Sequence, residues 1–93
     1  MTFAAVTYVD LEGFDAAQGL QILNDMLVPR LKAVPGFQSA RFLRSQDGRM
    51  GIGTAICDSE RHAQECLSAM TAERPAGAPM LTSSAIYEVV LEV

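Results

Sequence analysis

The chain has 93 residues, with 7 basic and 11 acidic side chains and a formal net charge of −4. An acidic surface of this kind cannot neutralise phosphates, which excludes nucleic acid and anionic membrane as partners. Two cysteines are too few for a disulfide scaffold, and a chain this short is expected to form one domain, residues 1–93, whose own core gives modest stability. The apolar start at residues 1–9 has no basic residue before it and runs straight into Asp10 and Glu12. That pattern fits neither a signal peptide nor a membrane span, and a cytoplasmic protein is expected.

Residues 3–11 alternate Phe3, Ala5, Thr7, Val9 and Leu11 against Ala4, Val6, Tyr8 and Asp10. A strand apolar on one side and nearly so on the other belongs at the centre of a sheet. Glu12 and Gly13 break it. Asp15 is placed to cap a helix whose apolar stripe is Leu20, Leu23, Leu27, Leu31 and Val34. Pro29 falls inside that stripe and lacks the amide that would bond to the carbonyl of Asp25, so a kink or a fresh short helix from Pro29 is expected. Pro35 and Gly36 end the helix.

Residues 37–44 place Arg41 and Arg44 on opposite faces of a second strand, a pattern that suits an edge. Asp47-Gly48 supplies the positive φ angles of a tight hairpin. The third strand, residues 50–57, then sets Met50, Ile52, Thr54 and Ile56 on one face and Gly51, Gly53, Ala55 and Cys57 on the other. The second of these faces is nearly bare, so either a helix at close approach or a ligand must fill the space above it. Asp58 or Ser59 caps a second helix, with Glu60 favourable in its first turn and Ala63, Cys66, Leu67 and Met70 as its buried stripe. A breaker-rich loop at residues 74–79 leads to a last strand expected over residues 84–93.

The order β-α-β-β-α-β predicts a ferredoxin-like α+β sandwich with a four-stranded antiparallel sheet. Two helices cover only one face of such a sheet. The other presents several of Val6, Val9, Ile52, Ile56, Val89, Val90 and Leu91, which predicts a homodimer joined through the sheet face.

Val34-Pro35-Gly36-Phe37 before the second strand, Asp58-Ser59-Glu60 at the second helix and Tyr87-Glu88-Val89-Val90 in the last strand resemble the dimeric α+β barrel superfamily. Within it, the chain is most similar to antibiotic biosynthesis monooxygenase-like domains. The resemblance implies two sheets meeting as a barrel and a small-molecule pocket between each sheet and its helices. It also implies an activity such as cofactor-independent monooxygenation of a polyphenol or quinol, or haem degradation. The superfamily's first-strand asparagine and third-strand tryptophan are missing: the chain has no tryptophan, and its one asparagine, Asn24, is on the first helix. The tryptophan position falls at Ile56 or Cys57, and the helical histidine of haem-degrading relatives falls near Cys66. No catalytic role transfers by motif, haem is not expected to bind through an axial ligand, and a non-catalytic binding or structural barrel stays open beside the enzyme.

The remaining candidates rest on residue chemistry. His62, the only imidazole, offers a general base or ligand, against the commoner use of such a histidine as a solvated helix residue. Tyr8 and Asp10 share a strand face, where a phenol beside a carboxylate orients a substrate hydroxyl and takes its proton, or where Tyr8 fills core and Asp10 sits in water. Arg41, Thr54 and Cys66 are candidates for substrate binding; Arg41 equally suits a surface ion pair, and Cys66 an inert buried thiol. No metal cluster is spaced in the sequence, and Gly51-Ile52-Gly53 lacks the third glycine of a dinucleotide fingerprint, so no cofactor is expected. Methionines such as Met26, Met70 and Met80 suit an adaptable apolar pocket or plain core filling.

Overall fold

β1 (Phe3–Asp10), β2 (Phe37–Arg44), β3 (Met50–Cys57) and β4 (Met80–Glu88) form one antiparallel sheet in the order β2-β3-β1-β4. The structure, a computed structural model, describes residues 1–72 and 78–93; the breaker-rich part of the expected loop, residues 74–77, lies outside the described residues. Three helical segments, α1 (Ala16–Ile22), α2 (Val28–Lys32) and α3 (Glu60–Thr71), complete a ferredoxin-like α+β sandwich. β1 is central and β2 is an edge, as their composition requires. No helix among the described residues is long and apolar enough to cross a membrane.

Asp15 opens α1 with its Oδ1 accepting from the Ala17 amide at 3.0 Å. The strain expected at Pro29 is relieved upstream. Leu23–Leu27 widens into a π-helical turn, and the Val28 amide reaches back to the Leu23 carbonyl. That extra residue moves Pro29 into the first turn of α2, where a missing amide leaves no helical bond unmade. Ser59 caps α3 by accepting from the His62 amide at 3.2 Å.

The core joins Ala5, Ala55 and Cys57 of the sheet to Leu31 of α2 and Ala63, Cys66 and Met70 of α3. Small residues on the sheet let α3 approach so closely that the Sγ atoms of Cys57 and Cys66 share a hydrogen bond at 2.9 Å, both thiols free and fully buried. By strand alternation, Ala4, Val6, Tyr8, Ile52, Thr54 and Ile56 fall on the opposite face, away from the helices.

The last strand differs from its expected span. It runs from Met80 to Glu88 and not over residues 84–93. β1 sets both limits: Asp10 pairs with Met80 and Phe3 with Glu88, and the bulge between Tyr8 and Val9 leaves Thr82 to donate its hydroxyl to the Tyr8 carbonyl at 3.1 Å. Past Phe3 one backbone bond forms among the described residues, from the Val89 amide to the Thr2 carbonyl at 3.0 Å, and the Thr2 hydroxyl donates to Glu92 Oε1 at 3.1 Å. The alternating apolar residues after Glu88 therefore leave the sheet, with Val90, Leu91 and Val93 exposed.

Candidate functional site

The bare face of β3 is filled in two ways. α3 packs on its Ala55 and Cys57 half, while a cavity of about 810 Å³ opens over Gly51 and Gly53. A Cβ at Gly53 would stand 2.9 Å from Thr7 Oγ1, 3.1 Å from Met70 Cε and 3.1 Å from Phe42 Cε1, so these side chains close directly over the bare strand and the cavity lies beyond them. Phe14 and Leu20 of the α1 region, Leu23 and Met26 of the π turn, and Leu27 complete the apolar walls. The two methionines on this boundary, Met26 and Met70, combine gap-filling with an adaptable surface; Met80 lies elsewhere and is exposed.

Polar groups are few and lie at two levels. Thr7, paired with Gly53 across β1 and β3, is 5 % exposed and puts its hydroxyl on the floor. Arg30, Arg44, Gln46 and Asp47 stand on the boundary contributed by α2, the end of β2 and the hairpin. Asp47 is already engaged in its turn, where Oδ1 accepts from Ser45 Oγ at 2.6 Å and from the Arg49 amide at 3.0 Å. Those bonds, the serine's first, hold its carboxyl below the usual range.

None of the six residues singled out by chemical type lines this cavity. Tyr8 and Asp10 fall on the helix-free face, and Asp10 Oδ1 accepts from the Glu12 amide at 2.9 Å. Arg41 and Thr54 are brought together as register partners, with Thr54 Oγ1 donating to the Arg41 carbonyl at 3.3 Å. They line a smaller hollow of about 320 Å³ with Ile56, Val89 and Glu92. His62, 27 % exposed, is at the start of α3 and donates from Nδ1 to Asp58 Oδ1 across 2.6 Å. That bond is the main cause holding the Asp58 carboxyl below its ordinary value. Cys66 lies in the core, its thiol pushed up to about 12 by burial and, after that, by Cys57.

A thiol in that state is expected to resist iodoacetamide at pH 8 in the folded protein and to react at once in urea. Rapid native labelling of Cys66, read by mass spectrometry, would contradict its burial against Cys57.

The site residues missed in the sequence are Thr7, Arg30 and Arg44. Thr7 left a usable trace, a lone hydroxyl between Ala5 and Val9 on an otherwise apolar strand face. The arginines left none, because their sharing one cavity depends on tertiary packing of α2 and β2 residues that are distant in sequence.

No protein-family model matches the chain, and no curated protein matches it in sequence. Solved structures do match. The cofactor-independent oxygenase SnoaB of Streptomyces nogalater aligns with a TM-score of 0.76 at 14 % identity, over 99 % of this chain and 96 % of its own. The monooxygenase ActVA-Orf6 of Streptomyces coelicolor, solved with nanaomycin D, aligns with a TM-score of 0.64 at 17 % identity, over 98 % of this chain and 89 % of its own. The haem-degrading protein Rv3592 of Mycobacterium tuberculosis gives 0.66 at 19 % identity, over 100 % and 99 %. The fold is that of the antibiotic biosynthesis monooxygenase-like proteins. That fold is the one the sequence resemblance implied, and identities this low carry the fold and no residue role. Of the two cavities described, the larger lies between the sheet and the helices, where the resemblance puts a pocket.

Proposed function

We propose that the protein is a cytoplasmic homodimer that binds a small aromatic or quinol-like molecule over Gly51 and Gly53 and oxygenates it without a bound cofactor. The observation that carries this reading is a cavity of about 810 Å³ between the sheet and the helices, walled by Phe14, Leu23, Met26, Phe42 and Met70. Apolar walls with a few placed polar groups, in a volume of this order, are the usual form of a small-molecule site.

The chemistry follows from the residues present. A hydroxylated ring with a reactive methylene supplies all four electrons itself: one atom of dioxygen becomes the new ring carbonyl and the other leaves as water. The protein's part is to favour the substrate anion that gives up those electrons. The guanidinium groups of Arg30 and Arg44 stabilise a phenolate nearby, and the Thr7 hydroxyl donates to an oxygen on the ring. Asp47, held acidic by Ser45 and the Arg49 amide, is a weak base, so the substrate proton passes to water. The rate is then expected to follow the substrate's own ionisation with pH.

Oxygen uptake with 1,8-dihydroxyanthrone tests this. The expected result is consumption proportional to protein, above protein-free autoxidation, with no oxygen returned by catalase. Uptake equal to the protein-free control sinks the enzyme reading. A second reading, a binding module without catalysis, is favoured by one observation: no described residue lining the cavity is His, Tyr, Cys or Glu. A probe that binds without oxygen uptake would select it.

The homodimer is supported by the helix-free sheet face, where Val6, Tyr8, Ile52 and Ile56 stand with Arg41 and Thr54. In a sheet-to-sheet barrel this face, and the catalytic candidates Tyr8 and Asp10 with it, turns toward the partner. Sedimentation equilibrium at micromolar concentration is expected to give twice the 10.0 kDa chain mass, and the unfolding midpoint is expected to rise with protein concentration. A single-chain mass with a concentration-independent midpoint would exclude the barrel.

A further inference from the structure

We infer that the ligand is an aromatic acid, held with its rings over the glycine floor and its carboxylate on Arg44 at the edge of the cavity; this deepens the binding reading above and rests on it. Arg44 is the register partner of Gly51, and paired residues of an antiparallel ladder share a face, so its side chain leaves the sheet on the cavity side beside a residue that has none. The floor next to it is apolar. A Cβ at Gly51 would stand 2.9 Å from Val9 Cγ2 and 3.0 Å from Leu11 Cδ1.

Arg44 makes no ion pair among the described residues. Among the described residues the cavity boundary carries one carboxylate, Asp47, which is committed to Ser45 and the Arg49 amide. Arg30 also lines the cavity, its Nη1 donating to the Ala72 carbonyl at 3.1 Å.

That layout sets the ligand's polarity. An anion inside the apolar walls would lose its hydration without replacement, whereas at the edge it keeps water on one side and gains the planar guanidinium fork on the other. A carboxylate matches that fork with two parallel bonds. The ring body meanwhile occupies the apolar cavity between the sheet and the helices, against Phe42 and Met70.

Anthracene-2-carboxylate and its neutral amide, anthracene-2-carboxamide, differ in charge and little else, and both can be followed by fluorescence titration. The acid is expected to bind about tenfold more tightly than the amide, with the difference shrinking as salt is raised. Arg44→Gln, at an exposed position, is expected to remove about that tenfold from the acid and to leave the amide within about twofold, while Arg44→Lys keeps part of the preference. Equal binding of acid and amide to the unmodified protein would overturn the acid assignment while leaving the cavity reading intact. A preference for the acid that survives Arg44→Gln would overturn the role of Arg44. Binding of neither probe would remove the cavity reading, and this inference with it.

Discussion

Gly36→Ala is expected to destabilise the protein by about 2–4 kcal/mol, the sum of left-handed backbone strain and a steric conflict. Gly36 sits at φ +81°, and its carbonyl accepts the Asp58 amide at 3.0 Å. An added Cβ would run into both the Asp58 carboxylate and the His62 ring, which are themselves bonded at 2.6 Å. Either that pair opens or the loop before β2 shifts, and β2 enters the sheet directly from this loop. The Asp58–His62 pair is partly exposed, so its own loss adds little and strain dominates. Gly48 gives the internal comparison: it has φ +75° with nothing within 4 Å of an added Cβ, so Gly48→Ala is expected to lose only the backbone part, about 1 kcal/mol. Urea unfolding with an unchanged slope measures both. Equal losses at the two glycines would show that the Asp58–His62 clasp does not confine residue 36.

Gly53→Val is expected to weaken binding of an aromatic probe by about a hundredfold, near the value of burying one aromatic side chain. Its cost in stability is expected to be about 1–3 kcal/mol, the usual cost of overfilling a packed site. Two of the three atoms it meets, Met70 Cε and Phe42 Cε1, end side chains that can yield, whereas Thr7 Oγ1 sits on a β-branched residue of the central strand. The same substitution therefore separates the two possible jobs of the bare strand face. If Gly53 serves only packing against the helices, stability falls and probe affinity does not; if it is the floor of a site, affinity falls far more than stability. Fluorescence titration of anthracene-2-carboxamide well below the unfolding temperature reads the first quantity, and urea unfolding the second.

Much of the fold was legible because local and long-range signals agreed. The double-sided apolar run at residues 3–10 could only be central, Asp47-Gly48 fixed the hairpin, and Pro29 marked the break between α1 and α2 before the π turn was seen. The length of β4 was not legible. Alternation continues through Val93, but a strand ends where its neighbour ends, and β1 stops at Phe3. The glycine side of β3 announced a close approach or a ligand, and the structure supplies a close approach at Cys57 and at Gly53, with a cavity beyond the side chains that cover Gly53. Choosing polar residues by chemical type led instead to Tyr8, Asp10, Arg41 and Thr54. When a central strand is apolar on both faces, alternation sorts residues into two sets without saying which set the helices cover. Here they cover the Ala5 and Thr7 side, which puts the polar candidates on the other. His62 is separated from the cavity for a different reason: it is in the first turn of α3, whereas Met70, near the end of that helix, lines the cavity.

The central claim is that an aromatic molecule is held between the sheet and the helices, above Gly51 and Gly53. Titration of the ¹⁵N-labelled protein with anthracene-2-carboxamide, followed by amide chemical shifts, tests it most directly, because ring currents act only over a few ångströms and the probe's lack of charge makes the result independent of Arg44. The predicted result is that the largest shifts fall on Thr7, Phe42, Gly51 and Gly53, with Ser39, Val89 and His62 unmoved. Shifts centred on Ser39 and Val89, or none at probe saturation, would contradict it.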